Sequence, residues 1–254
     1  MTSILKEPHE RETRITLEPH NHVYLIDGIP SGYISVTTLL SHFFKPFPKD
    51  RIIRALMNGK CKGKTYNQIA QEWVDAAKFG EEVHAAIENW LTTGIIPSSQ
   101  DPRFAVCFAQ FMSFWKELVA KRPVKGVRPE MRIFDEEYRI AGSIDLLVEF
   151  SDGAHELFDW KCIFKITREN DRQRALTPID HYDDTNLTHY TLQLNLYKYI
   201  LEKNYGIKIS GMHLIQLYPT QTQWHQETLV SIPHDIEQVL LAYSHHSYLA
   251  PIES

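Results

Sequence analysis

Three residues near the middle of the chain carry groups whose types and spacing suit joint chemistry. Asp145 lies in Ala141-Gly142-Ser143-Ile144-Asp145-Leu146-Leu147, and Asp159 and Lys161 flank Trp160 in Leu157-Phe158-Asp159-Trp160-Lys161. Both runs are rich in strand formers. A carboxylate within them costs free energy unless it is paired, hydrogen-bonded or bound to a cation. Alternation along a strand puts Asp159 and Lys161 on one face and Phe158 and Trp160 on the other. Two carboxylates side by side repel, so the arrangement asks for a cation or a proton between them. Mg²⁺ fits, because it takes few protein oxygens and keeps waters for a substrate. Such an ion lowers the pKa of a bound water and stabilises charge growing on phosphoryl oxygens. Lys161, on the same face, would orient or help deprotonate that water, or neutralise the transition state.

The connection between the two runs sets a geometric condition. With Asp152-Gly153 as a two-residue turn, Ser151 pairs with Ala154, and Asp145 falls opposite Trp160, facing away from Asp159. A change of register by one residue, from a three-residue loop or a bulge, sets Asp145 beside Asp159. The sequence therefore predicts such a loop or bulge.

The elements that must hold these residues can be read from periodicity. His22 to Asp27 reads as a strand followed by a turn at Gly28, Pro30 and Gly32. Ser35-Val36-Thr37-Thr38 reads as a helix N-cap running into Leu39, Leu40, Phe43 and Phe44, ended by Pro46-Phe47-Pro48. Asn67 to Leu91 has helical spacing, with Ala70, Trp73, Val74, Ala77, Ile87, Trp90 and Leu91 as its apolar stripe. A second helix starts at Asp101 and stops near Lys121-Arg122-Pro123. Val127–Phe134, Arg139–Phe150 and Glu156–Lys161 read as strands, Ile163 to Thr188 as a polar connection, and His189–Tyr205 as a helix. Met212–Tyr218 and Glu227–Ile232 read as strands, and Asp235–His246 as a closing helix. Helices followed by a meander with one inserted helix imply an α/β or α+β domain. The first 20 residues are polar and read as a loosely held tail or an added edge element on a single domain spanning 1–254.

Bulk properties narrow the function class. The chain has 254 residues and a net charge of −5, which argues against a protein that coats nucleic acid without specificity. Locally the balance reverses: Arg51, Arg54, Lys60, Lys62 and Lys64 form a stretch without acids, and Lys161 to Arg174 is also basic. Either could follow a phosphate backbone or simply be solvated surface. No apolar run reaches the length of a membrane span, and the N-terminus is not a signal peptide. Three isolated cysteines, Cys61, Cys107 and Cys162, point to a reducing compartment and fall short of an iron–sulfur ligand set. An intracellular, soluble protein is expected.

The pattern of motifs resembles the PD-(D/E)xK nuclease superfamily and, within it, the RecB-like branch. Phe79-Gly80-Glu81-Glu82-Val83-His84 looks like the helical Gly-x-x-x-His element, Gly142-Ser143-Ile144-Asp145 matches Gly-x-x-Asp, and Asp159-Trp160-Lys161 matches Asp-x-Lys. Gln193-Leu194-Asn195-Leu196-Tyr197 matches Gln-x-x-x-Tyr, and Glu130 is placed like the family's acidic residue. Ser35-Val36-Thr37-Thr38 is similar to a segment of mitochondrial genome maintenance exonucleases and related viral proteins. The chain departs from the pattern in opening its first motif Phe-Gly-Glu-Glu and in the length of the polar stretch after Lys161.

The resemblance implies a restriction-endonuclease-like core, a mixed central sheet flanked by helices. It implies one or two Mg²⁺ or Mn²⁺ ions held by His84, Glu130, Asp145, Asp159 and the Trp160 carbonyl, with Lys161, Asp145 and Asp159 catalytic. A His ligand tilts the choice towards Mn²⁺. Ser35, Thr37, Thr38, Gln193 and Tyr197 would position the substrate. The implied activity is a deoxyribonuclease, an exonuclease acting on single strands or ends, of the kind used in DNA repair and recombination or by viruses. An RNA endonuclease with the same site and a catalytically silent nucleic-acid-binding module are the alternatives.

Overall fold

The computed structural model describes residues 7–18, 23–30 and 32–245. The chain opens with a short 3₁₀ turn (Glu10–Arg14) and a three-stranded antiparallel sheet of β1 (Ile15–Glu18), β2 (Val23–Ile26) and β3 (Ile29–Pro30). Residues 1–6, His22 and His246 lie outside the described residues. Within the segment before β2, residues 7–18 form an added edge element. Ile15 is buried, the Arg11 guanidinium sits 4.4 Å from the centre of the Phe134 ring, and Glu12 pairs with Arg128.

Next come β4 (Ile34–Ser35), α1 (Val36–Ser41), α2 (Lys49–Asn58), α3 (Tyr66–Thr93) and α4 (Pro102–Lys121). Then follow β5 (Val124–Asp135), β6 (Ile140–Phe150), β7 (His155–Lys161), α5 (Asn186–Asn204), β8 (Ile209–Gln216), β9 (His225–Thr228) and α6 (Pro233–His245). β4 to β9 form one mixed sheet: β5, β6 and β7 are an antiparallel meander, β7 runs parallel to β8 through α5, and β9 closes antiparallel. Helices cover both faces. Phe158, Trp160, Leu146 and Val148 pack under α3 and α4, while Leu157, Leu147, Met212 and Leu214 pack under α1, α5 and α6. The fold is α/β, a mixed sheet flanked by helices. No helix among the described residues is long and apolar enough to cross a membrane.

Helix ends follow local chemistry. Thr65 and Gln68 form a reciprocal capping box at the start of α3, and Gly94 ends it in a left-handed conformation (φ 74°) that costs glycine nothing. Asp101 caps α4 with proline next to it. The apolar stripe of α3 differs from the one its periodicity suggests. From Phe79 to Leu91 the helix is buried on one side, but Val74 and Ala77 are exposed. The core ends near Phe79, so the first half of α3 extends past it and packs against α2, whose Ile53 is fully buried.

β6 is the centre of the sheet and is buried along its length except at Ser143 and Asp145. β5 occupies one edge of it throughout. The other edge is shared: β4 pairs with Ile140 and Ala141, and β7 pairs from Leu146 to Glu149. Between them, residues 142–145 face a gap where the neighbouring strands diverge, and the chemistry-bearing residues gather there.

Candidate metal centre

The turn between β6 and β7 has three residues, Ser151 to Gly153. The Phe150 N–H donates to the Ala154 carbonyl at 2.9 Å, and Gly153 takes φ 87°. This is the loop length that the register condition requires. The ladder pairs Leu147 with Leu157 and Leu146 with Phe158, so the next residues in register are Asp145 and Asp159. Directly opposed residues of an antiparallel pair share a face.

Beyond Phe158 the regular ladder stops. Hydrogen-bonded pairs alternate along antiparallel strands, so continuation would send the Trp160 N–H to the Ile144 carbonyl. It donates instead to Asp145 Oδ2 at 2.8 Å. A side-chain carboxylate replaces a backbone acceptor, which fixes Asp145 and lets the strands part.

β5 contributes Glu130. Its neighbours Pro129 and Met131 pair with Leu146 and Ile144, which places Glu130 level with Asp145. Glu130 has φ 48°, the left-handed region, inside a strand. Such a conformation costs a non-glycine residue about 1–3 kcal/mol and survives only where its surroundings impose it. From α3, His84 Nδ1 comes within 3.3 Å of Asp145 Oδ2. One ligand atom from each of His84, Glu130 and Asp145 lies within 4.8 Å of the other two.

Asp159 stands beside this trio and not within it. Its side chain is 4% exposed, and Lys161 Nζ approaches its Oδ2 at 2.6 Å. Oδ2 has no other partner among the described residues. Lys161 in turn lies 4.5 Å from the centre of the Tyr190 ring on α5.

Protonation follows from this crowding. Burial, reinforced by the charge of Asp145, pushes Glu130 up to about 8. Burial and the charge of Asp145 outweigh Lys161 and raise Asp159 to about 6. Burial alone would lower His84, but the charge and contact of Asp145, with Asp159 behind it, carry it up to about 9. Burial would raise Asp145, yet His84, Lys161 and the Trp160 N–H hold it below the ordinary carboxylate range. Burial would likewise lower Lys161, but Asp159 and Asp145 keep it charged. Three acids thus share a pocket with one ammonium and one imidazole, and protons held on His84 and Glu130 make up the remaining balance of charge. One imidazole with two or three carboxylates is a donor set that fits Mn²⁺ well and Mg²⁺ adequately.

The other residues singled out by sequence fall at varying distance. Gln193 donates to the Tyr197 hydroxyl at 3.0 Å on the face of α5 that carries Tyr190. Tyr197 is buried against Gly142: a Cβ at that position would overlap Tyr197 Cε1. Glycine in the Gly142-Ser143-Ile144-Asp145 run is therefore a packing requirement. Gly142→Ala is expected to destabilise the fold by about 1–3 kcal/mol through overpacking, read as a lowered midpoint in chemical denaturation. Ser35 caps α1, accepting the Thr38 N–H at 2.9 Å, and its hydroxyl lies 2.8 Å from those of Thr37 and Thr38. Ser35 pairs with Ala141, about 13 Å along β6 from Asp145, so these three hydroxyls are not brought into the trio.

Three contributors escape a reading of the sequence alone. Tyr190 stands one turn before Gln193 and can be found by extending that helical face. Glu88, one turn after His84, adds to the negative charge felt by Glu130. Tyr24 from β2 lies against Ser143 and feels Glu130, and no local signal in the sequence links it to the site.

No family model matches the chain, and no curated protein does. Among solved structures the chain is similar to SSO0001, with 14% identity, 84% of this chain and 75% of that chain covered, and a TM-score of 0.38. It is also similar to a protein from Eubacterium rectale named "Putative exonuclease", with 10% identity, 83% and 69% covered, and a TM-score of 0.33. At such TM-scores neither likeness bears on the chemistry of the site.

Proposed function

We propose that the chain is a metal-dependent nuclease of the PD-(D/E)xK type, RecB-like branch, that hydrolyses phosphodiester bonds in DNA at single strands or ends. The observation that carries this reading is the convergence of His84, Glu130 and Asp145, donors from three elements, beside the Asp159–Lys161 pair. Glu130 is held there in a strained conformation, which a passive binding platform would have no reason to keep.

In this reading His84, Glu130 and Asp145 would hold a cation, with Asp159, paired to Lys161, and the Trp160 carbonyl standing beside it. When bound, Mn²⁺ or Mg²⁺ supplies an acidified water and a counter-charge for the phosphoryl oxygens. The residues of the chain do the rest. Asp145 is aimed by the Trp160 N–H. Lys161 is kept charged by Asp159, so it serves as a fixed ammonium that neutralises the transition state and orients water. Gln193 and Tyr197 line the α5 side and position the scissile strand.

The test is cleavage of end-labelled single-stranded DNA, duplex DNA and RNA of one sequence with Mn²⁺, Mg²⁺ or EDTA. Metal-dependent shortening of single-stranded DNA is expected. Cleavage of RNA alone would turn the reading to a ribonuclease, and binding without metal-dependent cleavage would overturn it.

A further inference from the structure

The connection between β7 and α5, residues 162–185, has no helix or strand beyond an isolated bridge between Arg174 and Asp183. Long connections of this kind in compact domains are either disordered or functional. This one is firmly pinned. Asn170 donates to the Asp184 carbonyl at 2.7 Å, Asn186 bridges the Thr167 N–H and the Lys165 carbonyl, and the Leu176 N–H donates to Phe43. Ala175 and Ile179 are buried in the main core.

What the connection builds is a cleft of about 400 Å³, lined among others by Lys45, Phe47, Gln173, Asp184, His189 and Tyr190. Tyr190 is the shared wall: its ring faces Lys161 of the metal centre and also borders the cleft. Asp184, held 2.8 Å from His189 Nε2, offers a carboxylate acceptor to the amino edge of a base. The Gln173 side chain makes no hydrogen bond among the described residues and is available to read that edge. At the mouth, Phe47 is 67% exposed with its ring 5.9 Å from Trp73, on the half of α3 that extends past the core. α2 and the turn after it carry Arg51, Arg54, Lys60 and Lys62, exposed and without an ion pair among the described residues.

We propose that this cleft takes the unstacked base of a single-stranded nucleic acid beside the scissile phosphate, with the strand continuing over Phe47 and Trp73 to the basic surface of α2. Aromatic faces alternating with basic residues are the means by which proteins follow single strands. A base inside a duplex is stacked and paired and has to leave the helix before it can enter such a cleft. The inference rests on the nuclease reading, but its test separates the two.

Single-stranded oligonucleotides carrying one 2-aminopurine at successive positions are titrated with the protein in EDTA, where no turnover occurs. Fluorescence is expected to change at one position, and Phe47→Ala is expected to abolish that change and weaken binding roughly 5- to 150-fold. Phe47→Trp is expected to restore it. Phe47 is exposed, so the alanine variant keeps its melting temperature. With Mn²⁺ the same variant is expected to raise KM for single strands and leave kcat within about twofold. A position-specific signal without metal-dependent cleavage would sink the nuclease reading and leave the cleft as a single-strand site. Cleavage with no position-specific signal and unchanged binding by Phe47→Ala would overturn the cleft proposal and spare the nuclease.

Discussion

Asp145→Ala is expected to lower metal-stimulated cleavage of single-stranded DNA by at least about 10³-fold. Asp145 has three tasks at once. It supplies a donor to the trio, accepts the Trp160 N–H and pairs with His84. Alanine removes all three, and leaving the Trp160 amide without an acceptor costs about 1–3 kcal/mol. Relief of repulsion at Glu130 and Asp159 offsets part of that cost. Asp145→Asn separates the tasks, because its amide oxygen still accepts the Trp160 N–H while the charge is gone. The asparagine variant should melt close to wild type without metal, bind Mn²⁺ far more weakly in calorimetry and cleave as poorly as alanine. Wild-type cleavage by either variant would place the reaction elsewhere on the protein.

Affinity for Mn²⁺ is expected to climb about 10- to 100-fold per pH unit between pH 6 and 8, for one or two protons displaced. His84, raised to about 9, and Glu130, raised to about 8, both hold protons at neutral pH that a cation must replace. The same groups make the metal-free protein less stable as pH rises. A folded-state pKa above the unfolded one means that folding takes up protons, and that stabilisation fades towards the higher value. For Asp159 the fading runs from 3.8 to about 6, for Glu130 from 4.5 to about 8, and for His84 from 6.5 to about 9. Asp145, lowered from 3.8, has the opposite sign and acts only in acid. Melting curves in EDTA should therefore move down between pH 6 and 8, and Mn²⁺ at fixed concentration should raise the melting temperature more at pH 8 than at pH 6. Parallel curves with and without Mn²⁺ would refute this account.

The parts of the fold governed by local rules are readable from sequence. α4 begins where Asp101 and Pro102 say it must, and the three-residue turn that sets Asp145 level with Asp159 is one of the two forms, loop or bulge, that the register condition left open. Where tertiary contacts decide, local rules fall short. α2 is charged, short and preceded by prolines, and its amphipathic character hides behind Arg51 and Arg54. Periodicity marks Val74 and Ala77 as apolar-face residues but carries no information on where the core stops. Alternation brings Asp159 to the face of Asp145 as though to share a cation, but Lys161 two residues on occupies it, because the same alternation turns both towards one side. The cleft beside Tyr190 is invisible in the sequence, since it depends on how residues 162–185 fold back onto Phe43.

The contact between Gly142 and Tyr197 bears on how this chain can drift. Neither position is free to change first: a side chain at 142 strikes the ring, and a smaller residue at 197 leaves a hole over β6. Residues that share one space give non-additive effects when altered together. Paired changes at 142 and 197 are therefore expected to depart from the sum of the single ones, and a change at 197 that removes the hydroxyl also removes the acceptor of the Gln193 amide.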